Sequence, residues 1–350
     1  MIRALWGLCL FAAWSCGSLL AQEFIGPHGF LTLEAGWGTQ DSVARRGTFD
    51  LHHFNLFGDV LLSPRARLFG EIEFEHRSEM EVEAGESLAG GFVRLERAWF
   101  EYRFSSLFVL RLGKFLTPYG IYNEIHDVAP AYDTTILPQS IYGKHRSPQG
   151  RMQRFYAKFS LGAQLLGTWH PGSLKFKYQL FVSNGRGQYP YEQDDNANKG
   201  MGTRLIGEFG HKGPVIGASF YSDRNGLNAN ARQTSLGLDF RYEFRRYRLI
   251  SEVSRFSLEE VPYSGIMRTA NAGYIEFAVH IGRQQTVLMR YDVFDPDTRM
   301  PHDLEKDWMF GTSYQFIEQA LAKFEIHFWD VQTATPRRYI QVLSSLAVVF

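Results

Sequence analysis

The sequence predicts an all-β protein, a transmembrane antiparallel β-barrel of about 16 strands with short turns at one end and long loops at the other. Three observations lead to this fold class. Apolar and polar residues alternate strictly in many segments, aromatic residues make up 15% of a chain that also has 33 glycines, and short and long connections follow one another in turn. A soluble β-sandwich would match the composition too, but the alternation continues to the last residue, which favours the barrel.

The alternation is clearest in the segment 66–77. Its apolar residues, such as Leu68 and Phe74, share one face, and its charged residues occupy the other. A period of two cannot belong to a helix, and in a barrel the apolar face suits lipid while the charged face suits a water-filled lumen. We therefore expect the following charged residues to line the pore: Arg67, Glu71, Glu73, Glu75, Arg77, Arg111, Arg241, Glu243, Glu276 and Arg290.

The connections alternate in length. Seven short turns separate eight longer polar stretches, which lie near 38–48, 78–91, 117–150, 184–200, 222–232, 257–271, 295–306 and 333–338. This pattern gives an even number of strands with both chain ends on the short-turn side, the layout of bacterial barrels, with turns in the periplasm and loops outside. Barrels of 14 or 18 strands are the alternatives.

One segment breaks its own phase. In 92–104 the apolar residues first take odd positions, as at Val93 and Leu95, and then even positions, as at Ala98 and Phe100. Because a slip of one residue inverts both faces of a strand, we predict a β-bulge near Leu95–Arg97.

The two ends of the chain indicate export and membrane insertion. A basic start and an apolar run predict a cleaved signal peptide over 1–21, followed by a single barrel domain over 22–350. The last strand ends on Phe350, an ending that resembles the terminal aromatic signature of Gram-negative outer-membrane proteins. The resemblance implies that the barrel-assembly machinery recognises Phe350, and that the protein contacts lipid and lipopolysaccharide in the outer membrane of a Gram-negative bacterium.

Composition excludes several classes of function. Both cysteines, Cys9 and Cys16, fall in the predicted signal peptide, which excludes disulfides, thiol catalysis and thiolate metal sites from the mature chain. A net charge of zero argues against nucleic-acid binding. Adjacent His52 and His53 would point to opposite faces of a strand and could not chelate one ion. We expect no cofactor, no metal and no enzymatic activity.

The longest loop, 117–150, is the third outward loop and is expected to fold into the barrel. Long segments without regular structure are usually functional or disordered, and a solvated surface loop is the alternative. If the loop folds inward, its charges narrow the pore and set a transverse field between an acidic and a basic patch. The candidate residues for this constriction are Asp127, Asp133, Lys144, His145, Arg146, Arg151 and Arg154.

One stretch resembles a known family. The run Gly113-Lys-Phe115 followed by Thr117-Pro-Tyr-Gly120 resembles the phosphate-selective porin O and P family, and Glu71-Ile-Glu-Phe-Glu75 and Val182-Ser-Asn-Gly185 are similar to it as well. The resemblance implies a sixteen-stranded, homotrimeric barrel that passes small anions. No run of lysines or arginines matches the family's basic selectivity cluster, so phosphate specificity is not carried over.

These observations favour a porin that lets small hydrophilic solutes or ions diffuse passively across the outer membrane. Only the family resemblance implies a preference for anions, with phosphate as the solute of that family. The alternative is a non-transporting outer-membrane barrel, either an adhesin with binding loops or an outer-membrane enzyme. The position of the loop 117–150 discriminates between them, because a loop inside the barrel indicates a pore whereas a loop that projects outward favours binding.

Overall fold

Sixteen antiparallel strands close into a barrel in chain order, so the predicted fold class and strand number are confirmed. The computed structural model describes residues 23–75, 92–125, 128–186 and 196–350. Within them, no helix has the length and the apolar character needed to cross a membrane. The barrel strands are β1 (Glu23–Gly38), β2 (Thr48–Ser63), β3 (Ala66–Glu75), β4 (Phe92–Arg103), β5 (Val109–Leu116), β8 (Phe159–Trp169), β9 (Leu174–Ser183), β10 (Gly200–Phe209), β11 (Val215–Asn225), β12 (Ala231–Phe244), β13 (Tyr247–Glu259), β14 (Met267–Ile281), β15 (Gln285–Asp295), β16 (Glu305–Ile317), β17 (Ala320–Val331) and β18 (Arg338–Val349).

Short and long connections alternate around the barrel as predicted. One end of the barrel, the turn end, therefore has short connections such as 64–65 and 245–246. The other end, the loop end, has longer connections such as 260–266. The predicted signal peptide, Arg77 and Asp127 lie outside the described residues.

The two faces of each strand differ as the alternation predicts. On β14, Ile275 and Phe277 are exposed on the outer face, whereas Tyr274 and Glu276 between and beside them are buried on the inner face. Leu236 and Leu238 on β12 are exposed in the same way. On these strands the outer face is therefore apolar, and the inner face carries buried polar groups such as the Glu276 carboxyl.

The predicted bulge lies on β4. Glu71 on β3 pairs with Arg97, and the next residue, Ile72, pairs with Leu95, so Glu96 is the additional residue. The bulge restores the phase of β4, since Val93 and Leu95 before it and Ala98 after it all pair with outward positions of β3.

The barrel closes between β1 and β18, and Phe350 continues that pairing by one residue. The Gly29 amide donates to the carbonyl of Phe350 at 2.9 Å, and the Phe350 amide donates back at 3.0 Å. Glycine fits here because a Cβ at this position would collide with the backbone carbonyl oxygen of Asn55 and lie 2.6 Å from the Phe350 ring. The ring also stacks on Phe54, with ring centroids 5.8 Å apart.

The described residues of the connection between β5 and β8, 117–125 and 128–158, lie inside the barrel, and we call them the inner loop. It includes two 3₁₀ turns, Asn123–Ile125 and Ala129–Ala131, helix α1 (Gln139–Tyr142) and a hairpin of β6 (His145–Arg146) and β7 (Met152–Gln153). It is longer than the predicted 117–150 because the residues after the hairpin are buried in the lumen before β8 begins. Its fully buried aromatic residues form the core of the molecule: Tyr119, Tyr142, Phe155 and Tyr156.

Candidate functional site

The inner loop is held against one side of the lumen by the carboxyl group of Glu252 on β13. Three groups donate hydrogen bonds to it: the Tyr142 hydroxyl at 2.6 Å, the Tyr274 hydroxyl at 2.6 Å and the Ile121 amide at 3.1 Å. Two of these donors belong to the inner loop, so Glu252 joins two separate parts of it to the barrel wall.

A second anchor holds the loop through Asp133. Its carboxylate lies 2.7 Å from the Arg248 guanidinium and accepts a hydrogen bond of 2.7 Å from the Ser313 hydroxyl. Burial opposes ionisation of Asp133, but Arg248 and Ser313 outweigh this effect and the pKa of the carboxyl lies below its usual value. Lys323 on β17 donates to the carbonyls of Ala129 and Thr134 at 2.6 and 2.8 Å.

A cavity lies beside the inner loop, next to strands that do not carry these anchors. This cavity, of about 360 Å³, separates the inner loop from the wall formed by β2 to β5. Its lining combines charged and apolar side chains, namely Phe57, Asp59, Arg67, Phe69, Arg97, Trp99, Arg111, Phe115, Leu116 and Glu124. The wall contributes all of these residues except Glu124, which belongs to the inner loop.

Three arginines of the wall stack on aromatic rings. The guanidinium carbons of Arg67 and Arg111 lie 4.7 and 4.2 Å from the centre of the Trp99 ring. Arg97 lies 4.9 Å from the ring of Phe69, which itself stacks on Trp99 at 5.0 Å. Such cation–π contacts restrict the long arginine side chains, so the three positive charges have defined positions beside the cavity.

Each of these arginines also contacts a carboxylate of the wall. Arg67 lies 3.4 Å from Asp59, Arg111 lies 2.9 Å from Glu101, and Arg97 pairs with Glu71. The three arginines and three carboxylates of the cavity wall therefore form ion pairs, and their formal charges balance.

Glu124 differs from the wall carboxylates. One of its oxygens accepts a hydrogen bond from the amide of Gln179 at 2.9 Å. No basic side chain of the described residues lies within ion-pair distance of it. The inner loop thus adds a carboxylate that forms no ion pair within the described residues to a cavity that three arginines also line.

The described pore-lining candidates fall into four groups. Arg67 and Arg111 line the cavity, and Glu71 pairs with Arg97, which lines it too. Glu73 and Glu75 contact Arg94 at 3.0 and 3.1 Å. Arg241 and Glu243 are exposed near the turn end of β12. Glu276 and Arg290 face inward but are buried, because the inner loop covers that part of the wall; Arg290 donates to the Ile136 carbonyl at 3.2 Å.

The predicted constriction residues are also dispersed. Lys144, Arg146 and Arg151 are exposed on or beside the hairpin, which lies at the loop end, since Gln149 donates to the Glu259 carbonyl at 2.7 Å. Arg154 is half-buried and donates to the Tyr142 carbonyl at 2.7 Å. None of these basic residues belongs to the lining of the cavity.

His145 is the one candidate of the hairpin that is buried. Its ring stacks on Phe294 with centroids 3.7 Å apart, and its Nε2 lies 2.9 Å from the Ser140 carbonyl oxygen. Burial lowers the pKa of His145 to about 4, so the ring is neutral at neutral pH and packs as an aromatic residue.

Sequence reasoning missed several residues of the cavity, namely Asp59, Arg97, Trp99 and Glu124. A signal existed for Arg97, because the predicted bulge turns it toward the same face as Glu71. Trp99 lies two residues further along the same face, but its stacking on two arginines depends on the register of three neighbouring strands.

Comparison with known proteins shows a shared fold. No family model matches the chain. Over 89 residues it is 36% identical to an uncharacterized protein of Aquifex aeolicus, a match that covers 25% of this chain and 19% of that protein. The chain therefore spans about a fifth of the length of the curated relative it matches.

Among solved structures, an anion-selective porin from Comamonas acidovorans matches with a TM-score of 0.68 and 9% identity, covering 94% of this chain and 100% of the porin. The fold is that of an outer-membrane porin. Outer-membrane expressed OmpT of Vibrio cholerae has a TM-score of 0.63 at 10% identity, and the outer membrane channel DcaP of Acinetobacter baumannii one of 0.61 at 8%; each match covers 94% of this chain and 97% of the other. At such identities the likeness concerns the fold alone.

Proposed function

We propose that this protein is an outer-membrane porin through which small hydrophilic solutes diffuse passively. The observation that carries the proposal is the inner loop, which packs against part of the wall inside the lumen and lies beside a charged cavity. A loop fixed inside a barrel narrows a pore, whereas an adhesin would present its longest loop to the outside. The fold shared with porins and channels supports the same conclusion.

The ion selectivity of this porin would be set at the cavity. Arg67, Arg97 and Arg111 line it together with Glu124, and opposite charges placed in the same narrow part of a pore create a local field. We propose that any preference for anions comes from these three arginines. A preference for phosphate would need guanidinium groups without carboxylate partners, whereas each of these already contacts a carboxylate.

Planar-bilayer recordings in a salt gradient test the proposal. The purified protein is expected to form steady channels, and the variant Arg67→Gln/Arg97→Gln/Arg111→Gln should shift the reversal potential toward that of cations. The control variant Lys144→Gln/Arg146→Gln/Arg151→Gln changes the exposed basic residues and should shift it less. A barrel that folds but does not conduct would contradict the porin function, and a larger shift in the control would return selectivity to the hairpin.

The proposal extends to assembly and location. We propose export through the signal peptide 1–21, insertion by the barrel-assembly machinery into the lipid and lipopolysaccharide of the outer membrane, and association as a homotrimer. OmpT of Vibrio cholerae has been solved in a trimer form, and it shares the fold of this chain. We propose no catalytic activity, in keeping with the porins among the structural neighbours. Cross-linking in isolated outer membranes, resolved by size, would show the trimer or contradict it.

A further inference from the structure

We propose that the cavity beside the inner loop is a binding site for a small zwitterion, an α-amino acid with an apolar side chain. This inference rests on the proposed porin function, since it names the class of solute that the passage would favour. It follows from three features of the cavity: its donors, its one unpaired carboxylate and its apolar surface.

The donors come from Arg67 and Arg97. Both contact their carboxylates through Nε, at 3.4 Å from Asp59 for Arg67 and in the pair with Glu71 for Arg97. Within the described part of the chain, their Nη groups have no hydrogen-bond partner. Paired N–H groups of a guanidinium match the two oxygens of a carboxylate, so this side of the cavity can receive the carboxylate of a solute.

The acceptor is Glu124. Its contact with the Gln179 amide neutralises no charge, and it lines the same cavity as the arginines, to which it contributes from the inner loop. A simple anion would meet three arginines whose charges the wall carboxylates already balance, together with the negative charge of Glu124. A simple cation would meet the arginines. A zwitterion places its ammonium group by Glu124 and its carboxylate by Arg67 and Arg97, and therefore satisfies both charges.

The apolar part of the solute would contact Phe57, Phe115 and Leu116. These side chains belong to the lining of the cavity, where Phe57 is partly exposed and Phe115 and Leu116 are buried. The volume of about 360 Å³ lies at the lower end of the range for small-molecule sites, about 300–1,000 Å³. It accommodates a solute the size of leucine with some water, but not a long peptide.

Matched solutes test the proposal. Leucine, its analogue without the amino group (4-methylpentanoate), its analogue without the carboxylate (3-methylbutylamine) and glycine would be added to single channels in planar bilayers at pH 7. Leucine is expected to interrupt the current at lower concentration than the other three, with a saturating dependence. Saturation-transfer NMR on the detergent-folded barrel measures binding of the same four compounds without requiring conduction.

Variants test the contact with the ammonium group and the contact with the apolar side chain separately. Glu124→Gln should weaken leucine binding roughly tenfold and leave 4-methylpentanoate binding equal or stronger, because only leucine has an ammonium group to lose a charge-assisted contact. Glu318→Gln changes an exposed residue of a turn between β16 and β17 and should alter neither. Phe57→Ser should reduce the advantage of leucine over glycine.

The outcomes distinguish this inference from the porin function. If potassium chloride conductance is normal but leucine does not bind more tightly than each of its two analogues, the proposal of a zwitterion site is wrong and the porin proposal stands. If the barrel does not conduct, the porin function fails, and the NMR comparison still decides whether the cavity binds zwitterions. Equal effects of Glu124→Gln and Glu318→Gln on leucine binding would also overturn the inference.

Discussion

At the scale of single residues, the cost of placing a charge on the outer face of the barrel depends on its depth in the membrane. Ile275 lies next to the middle of β14 and Ile281 at its end, and both side chains are about half exposed, at 49% and 53%. We predict that Ile275→Arg lowers the free energy of unfolding by about 2–4 kcal/mol and Ile281→Arg by about 0–1 kcal/mol, because lipid at the midplane cannot solvate the charge. Equilibrium unfolding in lipid vesicles measures both, and equal losses would contradict the orientation of this face.

Asp133 gives the inner loop a dependence on pH. Its pKa is lowered in the folded protein, so the ionised anchor is fully present above about pH 3.9, the ordinary pKa of an aspartate, and is lost as the pH falls through the folded value. We predict that fluctuations of the channel current rise below about pH 3.9. Asp133→Asn should show raised fluctuations already at pH 7 and a smaller response to acid. Asp330→Asn, which changes a partly exposed carboxylate at the loop end that pairs with Arg337 and Arg338, should respond like the unaltered protein. An identical response of Asp133→Asn would remove the anchor from the explanation.

For single residues, the sequence predicts best those properties that depend on one strand alone, such as the direction in which a side chain points. The inward direction of Arg67 and Arg111 follows from alternation, and their positions in the lining of the cavity agree with it. Burial of Glu276 and Arg290 could not be predicted in this way, since it depends on which wall the inner loop contacts.

At the scale of elements, the inner loop depends on a few polar contacts with the wall. Tyr142 donates to the Glu252 carboxyl group at 2.6 Å, and both groups are buried. We predict that Tyr142→Phe destabilises the folded protein by about 1–3 kcal/mol, because it leaves a buried acceptor short of one donor. Thermal unfolding with bilayer recordings would show the loss together with noisier open channels. Tyr263→Phe alters an exposed tyrosine of the outer loop 260–266 and should change neither.

The same element shows what the sequence can and cannot predict. The length of the loop and its place after β5 were sufficient to suggest an inward fold, and the phase break in 92–104 located the bulge at Glu96. The path of the loop was not predictable, because it depends on partners far away in the sequence, such as Ser254 for Tyr119 and Ser219 for the Gly120 amide. The basic residues near the hairpin remain a predicted constriction, but they do not line the cavity to which the wall arginines contribute.

At the scale of the whole molecule, every strand of the barrel has two neighbours, and closure depends on the pairing of β1 with β18. An open barrel would expose unpaired backbone groups to lipid, each at a cost of several kcal/mol. Phe350 extends this pairing through its two backbone hydrogen bonds with Gly29 and packs its ring on Phe54. Its side chain thus stabilises the seam where the first and last strands meet.

We therefore predict that Phe350→Ser lowers the amount of folded barrel in the outer membrane. The backbone bonds with Gly29 remain possible in the variant, but the ring contact on Phe54 is lost, and the last strand has one anchor fewer during closure. The measurement is the fraction of heat-modifiable protein in outer-membrane preparations. Phe316→Ser is the matched control, because Phe316 lies at the turn end of β16 with a similar exposure, 55% against 53% for Phe350, but away from the seam. Normal assembly of Phe350→Ser, or equal losses in the two variants, would show that Phe350 has no special role in closing the barrel.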